Sequence, residues 1–83
     1  MIEIRPSDWP PKGTWAKCDR RDGVEWDGPL FEVTESWLVI EGKREHIVLR
    51  GTILEPHDWP AGEGMPFTCC APDVSYPDGE PPS

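Results

Sequence analysis

The stretch Ser36–Leu54, SWLVIEGKREHIVLRGTIL, decides the fold class. Two runs dense in Val, Ile, Leu and Trp flank the polar group Gly42-Lys43-Arg44-Glu45. β-branched and aromatic side chains fit a pleated surface, and two such runs around a four-residue polar loop have the form of a β-hairpin. A helix over 32–40 competes, because Val33, Trp37, Leu38 and Ile40 also fall on one helical face. It is the weaker reading: Val, Thr, Trp and Ile at this density favour strand, and no capping residue stands between Pro29 and the run.

Upstream, LFEVT (30–34) alternates Phe31 and Val33 inward against Glu32 and Thr34 outward, and MIEIR (1–5) does the same with Ile2 and Ile4. Both read as half-buried strands. TWAKC and VEW flank Arg20-Arg21-Asp22-Gly23, where Asp-Gly favours a tight turn, so a first hairpin is expected to join Trp15 to Trp26. The sum is a mainly β fold, a small single-domain barrel or sandwich of five to six short antiparallel strands.

Eighty-three residues leave room for one domain, in which folding buries only about 60–65% of the unfolded surface. Proline supplies 11 positions, so turns and extended segments take a large share of the chain. The tryptophans Trp9, Trp15, Trp26, Trp37 and Trp59 offset the thin apolar content, since each buries about 200 Å² when enclosed or anchors a partner when left outside.

Sixteen acidic and eight basic side chains give a net charge of −8, which argues against nucleic acid or an anionic membrane surface as a direct partner. The chain lacks Asn and Gln, so the bidentate adenine contact of base readout and the N-glycosylation sequon are both missing. No targeting signal or bilayer-spanning apolar run is found, and the expected location is a cytoplasm, or a host cytoplasm or virion if the protein is phage-encoded.

Charge and proline are both concentrated late. Residues 56–83 hold five acids, no Lys or Arg and seven of the prolines. APDVSYPDGEPPS has no apolar periodicity, so the division expected from composition is a β domain over 1–70 and an acidic, Pro-rich, extended tail over 71–83.

The segment EPHDWPAGEGMPFTCC (55–70) echoes RPSDWPPKG (5–13). Pro6-x-Asp8-Trp9-Pro10 leads to Gly13 and Cys18, and Pro56-x-Asp58-Trp59-Pro60 leads to Gly64 and Cys69. In each, Asp closes a turn, Pro holds the preceding Trp extended, and Gly releases the chain into a short strand ending at cysteine. The expected common structure is a pair of corners that each aim an indole.

A zinc set would draw on Cys18, His57, Cys69 and Cys70. The spacing is unfavourable, because Cys69 and Cys70 are adjacent and neighbours on a strand point to opposite faces. Three cysteines are an odd number; a bridge from Cys18 to Cys69 or Cys70 competes with free, buried thiols as the simpler state. An activated thiolate needs a base or cation, and the local sequence around Cys69-Cys70 offers neither. GEGMPF lacks the strand-loop-helix context of a dinucleotide loop, and the paired acids match no calcium-loop spacing. No cofactor and no enzymatic activity are expected.

Binding to a protein remains. The first reading is a structural or assembly accessory that docks on a larger protein or assembly through Trp9, Trp59, Pro60, Tyr76, Asp73 and Asp78. The second is an acidic inhibitor of DNA-mimic type, covering a basic nucleic-acid-binding surface of an enzyme with carboxylates.

Overall fold

The computed structural model describes residues 1–55 and 62–81. Its strands are β1 (Ile2–Pro6), β2 (Trp15–Cys18), β3 (Arg20–Arg21), β4 (Val24–Glu25), β5 (Leu30–Glu41), β6 (Arg44–Ile53), β7 (Pro66–Cys70) and β8 (Val74–Ser75), with a 3-10 turn at Ala71–Asp73. The fold is mainly β, as expected, and every pairing among the described residues is antiparallel.

The hairpin in Ser36–Leu54 is present and longer than the sequence suggested. Glu41 pairs with Arg44, so the loop is Gly42-Lys43 rather than four residues, and Gly42 at φ 60° supplies the positive φ that a type II′ turn needs first. LFEVT is continuous with the hairpin's first arm in the twelve-residue β5, and the helical alternative does not form.

β5 organises the sheet. Along its whole length it pairs with β6; its other edge is shared, with β2 on Leu30–Glu32 and β1 on Trp37–Glu41. The main strand order is β7-β6-β5-β2-β8. A bulge lies at Thr34, where the register steps from Val33–Gly51 to Glu35–Arg50. The extra residue bends β5 and increases its twist. Gly51 permits the bend: a Cβ there would run into the Glu32 carbonyl oxygen and lie 2.6 Å from Phe31 Cδ2.

Ala16, Phe31, Val33 and Leu49 form the buried centre, with Ile47, Phe67, Cys69, Val74 and Tyr76 packed against it. The Phe31 and Phe67 rings lie 5.4 Å apart in a tilted arrangement. Each fully enclosed Phe, Val or Leu contributes about 1.5–3 kcal/mol, so a core this small holds the sheet with little excess.

Three expectations need correction. The Asp22-Gly23 turn exists, at φ 52° and 78°, but closes only the β3–β4 hairpin. β2 pairs with β5 and β8 instead, which brings Ala16 opposite Phe31 and buries it completely. Second, β1 is exposed at all five positions, with Ile2 and Ile4 61% and 63% accessible, because they lie on the sheet face opposite the core. Third, the sheet is not a closed barrel. The 3-10 turn joins β7 directly to β8 and so draws the two ends of the strand order together, but no ladder links them among the described residues.

Residues 71–81 join this architecture. Val74 and Ser75 pair with Cys18 and Lys17, Asp19 N–H donates to the Asp73 carbonyl at 2.9 Å, and Tyr76 packs on the core. The expected division after residue 70 therefore falls inside a run of chain that contributes a strand to the sheet.

Candidate functional site

The two halves of the sequence echo converge on a pair of thiols. Gly13 and Gly64 have φ of 94° and 85°, where glycine meets no Cβ penalty. Gly13 N–H donates to the Val33 carbonyl and Val33 N–H to that of Thr14; Gly64 N–H donates to the Ile53 carbonyl and Ile53 N–H to that of Met65. One glycine turn thus seats β2 on β5, and an equivalent turn seats β7 on β6. Each strand then carries a cysteine five residues past its glycine, and Cys18 Sγ and Cys69 Sγ meet at 3.0 Å.

Both thiols also have backbone acceptors. Cys18 donates to the Arg20 carbonyl at 3.2 Å and Cys69 reaches the Cys70 carbonyl at 3.7 Å, so either thiol has a carbonyl to donate to besides the other sulfur. Cys70 stands opposite Val48 on the outer face, because neighbours on a strand alternate. Burial, the hydrogen bond to Cys18 and the nearby Asp73 carboxylate push the Cys69 thiol far above its ordinary range, and burial followed by Asp73 raises Cys70.

A shallow cleft of about 250 Å³ opens over the pair, bordered by Arg20, Arg21, Trp26, Phe67, Cys70 and Asp73. That is smaller than the roughly 300–1,000 Å³ of typical ligand pockets. The fold does bring two arginines to the cleft that the local sequence lacked. Arg21 lies over the Trp26 ring at 5.6 Å, however, and the Cys69 and Cys70 thiols are held protonated, which is the opposite of nucleophile activation.

A pH dependence follows. A group whose folded pKa lies above its unfolded value adds stability that is complete below the unfolded value and is lost above it. Cys69 and Cys70 are raised from 9.0 and Tyr76 from 10.0, the last by burial and Glu80. The thermal midpoint of the reduced protein should therefore fall as pH rises above about 9, and less steeply in Cys69→Ala, as a melting series from pH 7 to about 10.5 would record.

Of the zinc set, His57 lies outside the described residues, Cys18 and Cys69 are in contact and Cys70 faces away. Among the described residues no group of three or more His, Cys, Asp or Glu side chains is arranged to hold a metal ion.

The expected contact residues divide. Trp9 and Tyr76 meet each other edge to face at 6.1 Å, and Trp9 Nε1 donates to the Pro81 carbonyl at 3.4 Å. This corner holds Tyr76 and Pro81 close to Trp9, entered through a cis Trp9-Pro10 bond and the fully buried Pro10 ring. Asp73 is half-buried beside the thiols, Asp78 is exposed, and Trp59 and Pro60 lie outside the described residues.

Sequence reasoning missed a different surface. Pairing places Pro6, Trp37, Val48 and Cys70 in one row across β1, β5, β6 and β7, and Ile4, Val39 and His46 in the next. All lie on the face away from Leu49 and the core. Trp37, Val39 and Val48 are half-buried and Ile2 and Ile4 exposed, so the outer face is an apolar platform. The signal was present in WLVI and HIVL, which are apolar at consecutive positions. Such runs indicate strands that are apolar on both faces.

Comparison with protein-family models, with curated proteins and with solved structures finds no match.

Proposed function

We propose that this protein is a non-enzymatic binding module, an accessory that docks on a larger protein or assembly through the outer face of β1, β5 and β6. The observation that carries this reading is the row arrangement of Ile2, Ile4, Trp37, Val39 and Val48 on one face, with Ile2 and Ile4 exposed and the other three half-buried. A contiguous apolar patch on a small domain marks an interaction surface more often than a stability feature. Trp37 is an anchor of the type that dominates interface energies. The Trp9 corner supports the domain from within, since its indole is engaged by Tyr76 and Pro81.

The test is capture from a cognate lysate with tagged wild-type protein and with Val39→Glu, scored by mass spectrometry. Val39→Glu should reduce recovery of the partner at least tenfold while the melting temperature of the module changes little, because the position is on the outer face. Recovery should also hold between about 50 and 500 mM salt. A partner retained by Val39→Glu, or one released steeply by salt, would instead fit docking through the acidic surface, as an inhibitor of a basic nucleic-acid-binding site.

A further inference from the structure

β1 has an edge that its own sheet does not use. Ser7 N–H donates to the Ser36 carbonyl at 3.0 Å, so backbone groups at Ser7, Arg5 and Glu3 turn toward β5. Those of Ile2, Ile4 and Pro6 turn the other way. Among the described residues β1 pairs with β5 alone, and its five residues are all exposed. The outward edge therefore carries two amide donors, Ile2 and Ile4, and the carbonyls of Ile2, Ile4 and Pro6. Proline stands at a position where its missing N–H breaks no bond to β5.

We propose that this edge pairs with the same edge of a second copy of the chain, antiparallel and centred on Ile4. Charge selects that register. With Ile4 opposite Ile4, Glu3 of each copy lies opposite Arg5 of the other, in the non-hydrogen-bonded pairs where side chains are closest. Centring on Glu3 would oppose two carboxylates, and centring on Arg5 would oppose two guanidinium groups. At present Glu3 and Arg5 pair within the strand at 2.9 Å, both more than half exposed.

The same register satisfies the backbone. Each Ile4 amide meets the other copy's Ile4 carbonyl, and each Ile2 amide meets the other copy's Pro6 carbonyl, so no outward donor is left over. Both sheets continue into one, and the apolar rows containing Ile2 and Ile4 run unbroken across the two-fold axis. This is an isologous contact, self-complementary and closed, which limits growth to a dimer. It does not depend on the docking role proposed above, since the purified chain alone is sufficient.

The experiment is sedimentation analysis of wild type, E3R, R5E and E3R/R5E over about 2–500 µM at low salt. Wild type should show a concentration-dependent dimer. Each single reversal should weaken it about tenfold, and the double reversal should restore it to within about threefold. Overall charge cannot mimic this pattern, because E3R makes the chain less negative and R5E more so. A monomer at every concentration would overturn the proposal and leave Pro6 and the charges as devices that blunt an edge. A dimer indifferent to the single reversals would also overturn it, by placing the contact elsewhere.

Discussion

Refolding the protein in the presence of an oxidised small-molecule disulfide should join Cys18 to Cys69, leave Cys70 free, and raise the thermal midpoint by roughly 15–30 °C. The two sulfurs already touch at 3.0 Å, whereas Cys70 is directed to the other face. The two thiols lose two protons and two electrons, and the small disulfide leaves as two thiols after a mixed-disulfide step. The cross-link spans 51 residues, for which the chain-entropy estimate is about 4 kcal/mol. For a domain of this size that is a large fraction of total stability. In the folded state the reaction should be slow, because Cys18 is 2% exposed and Cys69 is held protonated. Peptide mapping and melting of wild type, Cys69→Ser and Cys70→Ser check it. Cys70→Ser should form the same bridge and Cys69→Ser should gain no stability; a bridge to Cys70, or an unmoved midpoint, would refute the expectation.

The second large effect is at Gly51. In Gly51→Ala the new methyl has to displace the Glu32 carbonyl and the Phe31 ring, one of them backbone and the other at the centre of the core. Neither is the free end of a flexible chain. Overpacking of this kind costs about 3 kcal/mol or more, enough to leave so small a domain partly unfolded at 25 °C. Gly62→Ala is the control, since a Cβ there meets nothing within 4 Å, and it should stay within about 0.5 kcal/mol of wild type. Urea titration of the two variants separates a specific clash from a general cost of replacing glycine; equal losses would remove the argument.

Much of the local structure was legible in the residues. The alternation of LFEVT placed Phe31 and Val33 inside, Asp22-Gly23 placed a tight turn, and the β-branched runs placed the central hairpin. Pairing partners were not legible. Trp15–Cys18 had an apparent partner ten residues away, yet the long β5 offers Ala16 and Cys18 a buried side that a two-strand hairpin cannot. The attachment of residues 74–76 was not legible for a related reason: a Pro-rich, acidic segment lacks periodicity, but two residues of ladder and one aromatic ring are enough to fasten it. Its removal would therefore take away β8 and Tyr76 as well as any contact surface. The echo between the two Trp-Pro segments was visible as five matched residue types, and its described half matters through glycine and cysteine more than through tryptophan.

The bulge at Thr34 has a consequence for parity along β5. Strand faces alternate, so one additional residue exchanges them for everything that follows. Were Thr34 paired in regular register instead of bulged, Glu35, Trp37 and Val39 would continue the inward series begun by Phe31 and Val33, and Ser36, Leu38 and Ile40 would face solvent. The bulged geometry at this one position thus keeps the carboxylate of Glu35 out of the interior and turns the indole of Trp37 outward with Val39. Whatever meets the outer platform meets a surface whose composition is decided by phase, set at one residue remote from it.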